Sequence, residues 1–209
     1  MSERRRPGLP AEDDLAATIV FLRQWLRNPK AIAAIAPSGR ELARRIARAV
    51  GKGARSVVEI GAGTGVVTQA LLACGVPAEG LLIVERNPEL HALLSRRFPG
   101  VEVVRGDAFE LESVVARSDR ARSGRVDAVV SGLGLATVER SRQRALLEQV
   151  FRILGPRGRF VQFTYYPVLP ISRDLLSELG LCSRRAAFSL LNLPPASVYV
   201  LTRRRPKRP

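Results

Sequence analysis

Cysteine is scarce in this chain. The 209 residues include two cysteines and one histidine. Cys74 and Cys182 lie far apart in apolar stretches and form no C-x-x-C pair, so we expect two reduced cysteines in the core and no structural disulfide. We also expect no metal ion in the functional site.

Long apolar runs are missing as well. One long stretch without a charged residue, residues 186–202, is interrupted by Asn192, Pro194 and Pro195, so it does not have the composition of a transmembrane helix. The first residues change from basic to acidic without an apolar segment between them, which is not the pattern of a signal peptide. We therefore expect a cytoplasmic protein.

Acidic residues are few relative to basic ones. The chain has 34 lysines and arginines against 19 acids, which gives a formal net charge of +15. A field of this strength attracts polyanions of any kind, including phosphate backbones and anionic lipid headgroups, and charge alone does not choose between them. Part of the charge lies in two terminal runs, residues 4–6 and 203–208, for which an arginine-rich genome is a sufficient explanation.

The N-terminal 37 residues differ in pattern from the rest of the chain. Apolar residues recur at three- and four-residue steps over residues 11–27, which predicts an amphipathic helix. Phe21 and Trp25 belong to its apolar side, and Arg23 is one of the cations beside it, so the helix suits docking on an anionic membrane. A helix packed on its own domain has the same periodicity. We divide the chain into this tail and docking helix, residues 1–37, and a main domain, residues 38–209.

Apolar β-rich runs alternate with helical patterns in the main domain. An S-x-x-E sequence that starts at Ser38 predicts a capping box on the first helix. Continuous apolar strands between helices predict a parallel sheet covered on both faces, with strands at residues 56–60, 81–85, 101–105, 126–130 and 159–165. Two later runs, 182–190 and 197–202, are connected too closely to be parallel and predict an antiparallel terminal hairpin. The predicted fold class is α/β, with a doubly wound, mostly parallel seven-stranded sheet.

A glycine-rich turn follows the first predicted strand. The sequence VVEIGAGTG occupies residues 57–65, between a strand and a helix. Glycines at this place let the chain turn tightly and let a ligand lie directly against the backbone. A dinucleotide-binding fingerprint would have its last glycine at position 66, where this chain has Val66. We predict ligand contacts at Gly61, Ala62, Gly63, Thr64 and Gly65.

Two acids follow the next two predicted strands. Glu85 closes the second strand, where a carboxylate can accept hydrogen bonds from both ribose hydroxyls. Asp107 follows the third strand, where its carboxylate can accept from an adenine amino group beside the Ala108 N–H. The carboxyl ends of parallel strands meet at one edge of the sheet, which is where open α/β sheets bind their ligands. Each acid taken alone could equally be a helix cap.

This order of strands, glycines and acids resembles the class I S-adenosylmethionine-dependent methyltransferases, a Rossmann-like fold family. The resemblance implies S-adenosylmethionine as cofactor and S-adenosylhomocysteine as its product. It also implies that Glu59, near the end of the first strand, orders the glycine turn and the methionine end of the cofactor.

Further motifs resemble those of the bacterial phospholipid N-methyltransferases, which convert phosphatidylethanolamine to phosphatidylcholine. They are an NP-x-x-x-A-x-x-x-PS pattern at residues 28–38, Ser-Gly-Leu after the fourth strand, QFTYYP at 162–167 and NLPPA at 192–196. The chain departs from the family pattern at Gly134, where that pattern has proline. The resemblance implies that Pro37, Ser38 and Ser131 contact the cofactor. It also implies membrane phospholipids as partners and a peripheral location on the inner face of the cytoplasmic membrane.

The same resemblance implies a pocket for a lipid amine. Tyr165 and Tyr166 would supply π faces for the amine and for its methylated, cationic products. Ser131 and Gly132 would orient the nitrogen, so that catalysis is mainly positioning and desolvation. The only histidine, His91, follows Glu85 on a predicted helix surface, and we assign no general base. Asn192 and Arg184 are further candidates on the substrate or membrane side.

Two other functions are open at this point. RNA or DNA adenine N-methylation suits the basic charge, but the chain lacks the motif of an amide or acid, prolines and an aromatic that stacks a flipped base after the fourth strand. We therefore do not expect nucleic acid as a partner. A non-catalytic protein that keeps the cofactor pocket as a scaffold is the third possibility.

Overall fold

The computed structural model describes residues 37–118, 125–165, 168–189 and 195–204. The predicted docking helix with Phe21, Arg23 and Trp25 lies outside these residues, as do Tyr166 and Asn192. The functions assigned to those five side chains, and the division of the chain at residue 37, stay predictions.

A seven-stranded mixed sheet forms the centre of the described residues. Its strands are β1 (Val57–Ile60), β2 (Leu81–Glu85), β3 (Glu102–Arg105), β4 (Val126–Ser131), β5 (Leu154–Thr164), β6 (Leu181–Ser189) and β7 (Ala196–Arg203). Their order is β3-β2-β1-β4-β5-β7-β6. Strands β1 to β5 are parallel, whereas β7 pairs antiparallel with both β5 and β6. The predicted fold class, with its antiparallel terminal hairpin, is confirmed.

Helices cover both faces of the sheet. They are α1 (Pro37–Ala49), α2 (Val66–Ala73), α3 (Pro88–Arg97), α4 (Leu111–Arg117), α5 (Arg140–Ile153) and α6 (Arg173–Glu178). Successive side chains of a strand point to opposite faces, so Val57 joins one apolar cluster and Val58 the other. Helices α1, α2 and α3 contribute to the cluster around Val57, and α4, α5 and α6 to the cluster around Val58. Burial on both faces explains why the parallel strands are continuously apolar.

The sheet has two edges at which loops gather. We call the edge where β1 to β5 end the carboxyl edge, and the edge where they begin the amino edge. Because β7 runs antiparallel to both of its neighbours, β6 is parallel to β5 and also ends at the carboxyl edge. The loop between β6 and β7 therefore starts and ends at the carboxyl edge, and β7 ends at the amino edge.

Helix α1 begins differently from the prediction. Its first residue is Pro37, so Ser38 is the second residue of the helix. The carboxylate of Glu41 accepts a hydrogen bond at 2.6 Å from Arg45, one turn further on. The predicted start of the helix after Ser38 is therefore wrong. Proline is favoured at the first helical position because its fixed φ suits a helix and its missing N–H would have no partner there.

Two contacts set the direction of α1 on the sheet. Arg45 Nη1 lies 3.4 Å from the carbonyl oxygen of Phe188, near the end of β6. Arg159 Nη1 lies 3.4 Å from the carbonyl oxygen of Ala49, and Arg159 belongs to the first half of β5. Helix α1 therefore runs from the carboxyl edge to the amino edge, and its N-terminal residues lie on the carboxyl-edge side.

Both cysteines are free, but neither is in the core. Cys74 is exposed at the C-terminal cap of α2, and Cys182 is exposed on β6, the outermost strand of the sheet. An apolar neighbourhood in sequence does not bury a residue at the end of a helix or on an edge strand. The expectation of core cysteines was wrong for this reason.

No helix within the described ranges is both long and apolar enough to cross a bilayer.

Candidate active site

The glycine turn between β1 and α2 has a backbone conformation that residues with a side chain adopt only with strain. The φ angles of Gly61, Gly63 and Gly65 are 69°, 59° and 81°, in the left-handed region that favours glycine. A Cβ on Gly65 would lie 2.5 Å from a ring carbon of Phe98, which follows α3. The turn is thus both left-handed and packed against the next helix, and its backbone lies bare at the carboxyl edge.

The loop after β4 lies directly against this turn. The Gly132 N–H donates to the carbonyl oxygen of Ile60 at 2.9 Å. A Cβ on Gly132 would lie 2.2 Å from the carbonyl oxygen of Gly61, so no side chain fits there. Because the two backbones touch, a shift of the β4 loop moves the glycine turn as well. This contact is the role that the structure gives Gly132.

The carboxylate of Glu85 is held by two backbone N–H groups. Its Oε2 accepts from Gly63 at 3.3 Å, and its Oε1 accepts from Asn87 at 3.0 Å. An ionised carboxylate accepts about four hydrogen bonds, so both oxygens keep room for further donors. The structure brings Glu85 to the glycine turn, in the position expected of a ribose ligand.

Asp107 lies at the same edge, after β3. Its Oδ1 accepts from the Phe109 N–H at 2.9 Å and caps a 3₁₀ turn that begins at Ala108. Its Oδ2 lies 3.9 Å from Arg86 Nη1, and the side chain is 34% exposed. One oxygen therefore serves as a cap while the other is accessible, so the cap and the predicted contact with adenine are compatible.

Glu59 is a buried acid in β1. It is 2% exposed, and its Oε2 accepts a hydrogen bond from Thr68 Oγ1 in α2 at 2.7 Å. The pKa of Glu59 is raised from 4.5 to about 7: burial is the main cause, the hydrogen bonds from Thr68 oppose it, and the nearby charge of Glu85 adds to it. A positive charge nearby would stabilise the ionised form of this buried acid. The described link from Glu59 to the glycine turn runs through Thr68, which belongs to the helix that the turn precedes.

Ser131 supports the β4 loop from inside. Its side chain is fully buried, and its Oγ accepts from the Leu133 N–H at 3.3 Å. In this conformation the hydroxyl has no exposed surface, so contact with an amine would need the loop to move. The carbonyl oxygen of Leu133 accepts from Gln162 Nε2 at 3.0 Å, and Gln162 lies beside Ser131 in the register of β4 and β5.

Gln162 is a site residue whose role the sequence did not reveal. The side chain is 1% exposed, and its Nε2 also donates to the carbonyl oxygen of Phe163 at 2.6 Å. Its Oε1 is buried without a partner within the described part of the chain. The signal that could have identified Gln162 is a polar residue in the middle of an apolar strand pattern.

The remaining predicted residues fall at different distances from the turn. Tyr165 follows β5 at the carboxyl edge, half-buried, with its ring perpendicular to that of Phe163 at a centroid separation of 6.0 Å. Arg184 is exposed in the middle of β6, opposite Val200, and lies two strands away from β5. His91 is half-buried on α3, and its Nε2 lies 3.2 Å from the carbonyl oxygen of Val103.

Comparison with known proteins agrees with this geometry. Residues 57–158 match a family described as a methyltransferase domain. The chain is 33% identical over 186 residues to the ornithine lipid N-methyltransferase of Singulisphaera acidiphila, an alignment that covers 86% of this chain and 93% of that protein.

Solved structures share the fold. The TehB-like S-adenosylmethionine-dependent methyltransferase of Corynebacterium glutamicum has a TM-score of 0.58 and 20% identity, over 90% of this chain and 99% of that one. The glycopeptide N-methyltransferase MtfA in complex with S-adenosylmethionine also has a TM-score of 0.58, with 17% identity over 79% of this chain and 94% of that one.

The fold, the glycine turn and the acids at the carboxyl edge define a class I S-adenosylmethionine-dependent methyltransferase. Within that class, the chain belongs to the same family as the ornithine lipid N-methyltransferase of Singulisphaera acidiphila. Its cofactor is S-adenosylmethionine. The residues present fit this group, because the left-handed glycines leave bare backbone, Glu85 and Asp107 have oxygens to spare, and Glu59 favours a cation.

Proposed function

We propose that this enzyme methylates the amine of phosphatidylethanolamine and of its mono- and dimethyl forms, toward phosphatidylcholine, at the inner face of the cytoplasmic membrane. The QFTYYP and NLPPA motifs favour this substrate, and the relationship to an ornithine lipid N-methyltransferase favours a lipid amine in general. That relationship makes the amine of ornithine lipid the second candidate. The comparisons do not favour nucleic acid, the alternative left open by the charge.

Exposed apolar side chains at the carboxyl edge are the observation that carries the proposal. Among the described residues, two large hydrophobic side chains are exposed: Val168, at 62%, and Phe188, at 40%. Val168 comes three residues after Tyr165, and Phe188 is the last residue but one of β6. Both therefore belong to the edge that holds the glycine turn. Apolar groups beside a cofactor site suit an acceptor in a lipid interface better than one in water.

Arginines flank the exposed phenylalanine. The guanidinium carbon of Arg185 lies 5.5 Å from the centroid of the Phe188 ring, and Arg45 lies against the Phe188 carbonyl oxygen. Basic residues next to an inserted apolar group can meet lipid phosphates, and each contributes about 1 kcal/mol near an anionic surface. Arg184 is the neighbour of Arg185 in the same exposed strand and is a further candidate for a phosphate contact.

The reaction requires an amine with a free lone pair. When bound, S-adenosylmethionine supplies an electrophilic methyl group. By analogy with lysine, a lipid ammonium is protonated at neutral pH, and its deprotonation costs about 4 kcal/mol for about three pKa units. In this proposal water accepts the proton of the ammonium group, and the protein holds the nitrogen in position in a site without water.

The described residues near the β4 loop suit that holding role. Tyr165 supplies an aromatic face at the end of β5, which favours the cationic products as methyl groups accumulate. Gln162 fixes the carbonyl oxygen of Leu133 and so the position of the loop. His91 is an unsuitable base, because it packs against Val103 of β3, the outermost strand on the other side of the sheet.

Methyl transfer from radiolabelled S-adenosylmethionine tests the substrate. Vesicles that contain phosphatidylethanolamine, with and without anionic lipid, should take up label in the lipid phase, and uptake should rise with anionic lipid. Vesicles with ornithine lipid and a sample of bulk RNA are run in parallel. Label only in ornithine lipid would replace the first candidate by the second, and label only in RNA would refute both lipid proposals.

The apolar edge is tested by Val168→Ser combined with Phe188→Ser. We expect this variant to lose at least tenfold in transfer to vesicles while it keeps its affinity for S-adenosylmethionine. The same variant assayed on substrate dispersed in detergent micelles is the matched control, and it should retain most of its activity there. Equal activity of variant and wild type on vesicles would contradict the assignment of this edge to the membrane.

A further inference from the structure

A second concave surface lies at the amino edge, opposite the candidate active site. It is a cleft of about 500 Å³, lined by three segments that are distant in sequence: residues 50–54, 125–127 and 155–159. The first segment precedes β1, the second starts β4, and the third belongs to the first half of β5. We call it the amino-edge cleft. None of the residues assigned to cofactor or substrate lines it.

Positive charge dominates the amino-edge cleft. Its lining includes four cationic side chains and one carboxylate, that of Asp127, so the local charge is four minus one, or three positive. The cations are Lys52, Arg125, Arg157 and Arg159. Asp127 Oδ2 is already occupied, since it accepts from the N–H groups of Arg55 at 2.8 Å and Ser56 at 3.0 Å.

Among the described residues, no acid pairs with the cations of the cleft. Elsewhere, arginines pair with nearby acids, as Arg140 does with Glu178 at 2.6 Å and Arg152 with Glu112 at 2.8 Å. Within the described residues, none of the four cleft cations forms an ion pair with a carboxylate. Like charges gathered around one concave surface repel one another, so an anion in the cleft relieves a cost that the free protein carries.

The backbone of the cleft is open to a ligand. Gly51 and Gly53 have φ angles of 103° and 76°. The guanidinium of Arg159 lies against Gly51, 3.0 Å from the place of a Cβ, and is held near the carbonyl oxygen of Ala49. A Cβ on Gly53 would have no heavy atom within 4 Å, so space lies beside it. One arginine is therefore fixed in place, and Lys52, Arg125 and Arg157 are exposed around it.

We propose that the amino-edge cleft binds a soluble small molecule that carries two adjacent phosphoryl groups, such as a diphosphate ester. One phosphoryl ester group carries about 1.5 to 2 negative charges, so two of them match the three positive charges better than one does. The cleft volume falls in the range of small-molecule sites. A nucleic acid needs about 600 Å² or more of protein surface, which a single small cleft does not offer.

The position of the cleft selects a soluble ligand over a lipid headgroup. Its residues lie at the opposite end of the strands from Tyr165 and the glycine turn. While the carboxyl edge faces a bilayer, the amino edge points away from it. This step alone rests on the proposed function, whereas the charge and shape of the cleft do not depend on it.

Isothermal titration of the full chain with inorganic pyrophosphate at low salt tests the proposal without any methyl transfer. We expect one saturable site in the wild type and an affinity for inorganic phosphate at least tenfold lower. Arg125→Ala combined with Arg157→Ala should weaken pyrophosphate binding at least tenfold. Arg44→Ala combined with Arg96→Ala removes the same charge from exposed positions in α1 and α3, and this control should stay within threefold of the wild type.

Further variants keep the result interpretable. Lys52→Glu places a negative charge in the cleft and should abolish pyrophosphate binding. Affinity for S-adenosylmethionine, measured for every variant, should not change and verifies the fold. The proposal is overturned if no saturable site is found or if both double variants lose affinity equally. It is also overturned if the cleft variant loses binding to anionic vesicles or RNA but keeps its affinity for pyrophosphate.

Discussion

Replacement of Glu59 by glutamine should change how the stability of the cofactor-free enzyme depends on pH. Burial raises the pKa of Glu59 to about 7 in the folded chain, against 4.5 for an unperturbed group. Between these two values the folded state binds more protons than the unfolded state, so the free energy of unfolding falls as pH rises. The stabilising contribution of protonated Glu59 to the folded state is fully present below pH 4.5 and is lost as pH rises through about 7.

The magnitude follows from the two pKa values. A difference of about 2.5 units corresponds to about 3 kcal/mol, and most of it, about 2.5 kcal/mol, falls between pH 5 and pH 8. Glutamine keeps an oxygen that can accept the 2.7 Å hydrogen bond from Thr68 Oγ1, and it does not titrate. As pH rises from 5 to 8, the free energy of unfolding of Glu59→Gln should therefore increase by about 2 to 3 kcal/mol relative to that of the wild type.

Urea denaturation at several pH values between 5 and 8 measures this difference. All other titrating groups are common to both proteins, so their contributions cancel in the comparison. Glu79→Gln is the matched control, because it makes the same chemical change at an exposed position, in the turn before β2. Parallel pH profiles for wild type and Glu59→Gln, within about 0.5 kcal/mol, would refute the assignment of a raised pKa to Glu59.

Three further outcomes follow from the same site. Binding of S-adenosylmethionine at pH 7 should release roughly half a proton in the wild type and none in Glu59→Gln, because a cation near a half-protonated carboxyl lowers its pKa; calorimetry in buffers of different ionisation enthalpy measures this. Gly132→Ala should weaken cofactor binding at least tenfold, since its Cβ would lie 2.2 Å from the Gly61 carbonyl oxygen, whereas Gly134→Ala, with open space around it, should not; binding titrations with the same cofactor compare them. Gln162→Leu removes one of the two donors that the described residues give the carbonyl oxygen of Leu133, which keeps the Leu135 N–H at 2.9 Å, and should cost about 1 kcal/mol of stability, measured by urea denaturation, with a larger loss in kcat than in cofactor affinity; an unchanged kcat would contradict its positioning role.

The two edges of the sheet carry different kinds of surface. The carboxyl edge combines the cofactor turn with exposed apolar side chains, Val168 and Phe188. The amino edge combines a group of cations, Lys52, Arg125, Arg157 and Arg159, with a concave backbone surface. Because the parallel strands separate the two edges, changes at Lys52 or Arg157 should leave methyl transfer intact unless a ligand at the amino edge acts on it. Assays of methyl transfer with and without pyrophosphate measure any such coupling.

The sequence by itself determined the architecture and the cofactor class. Continuous apolar runs between helical patterns encode strands that are buried on both faces, and those strands were found within a few residues of their observed bounds. Glycines at alternate positions encode a left-handed turn, because glycine alone adopts that backbone without strain. These are local properties of the chain, so a local pattern is enough to predict them.

Local patterns were misleading where an element is short or lies at an edge. Helix α4 is only seven residues long, and its buried side chains, Leu111, Val114 and Val115, are too few to form a clear helical pattern in the sequence. Cys182 was expected in the core, yet it lies on an edge strand that no further strand covers. Burial depends on which segment packs on which, and the spacing of apolar residues does not specify that.

Only the tertiary structure decided the contacts between distant segments. The requirement for Gly132 arises from the Gly61 carbonyl oxygen 71 positions earlier, and the raised pKa of Glu59 arises from burial by surrounding elements. Lys52, Arg125 and Arg157 belong to three separate segments that form one cleft after folding. Desolvation, close backbone approach and charge clustering depend on distances in space, which the order of residues sets only through the fold.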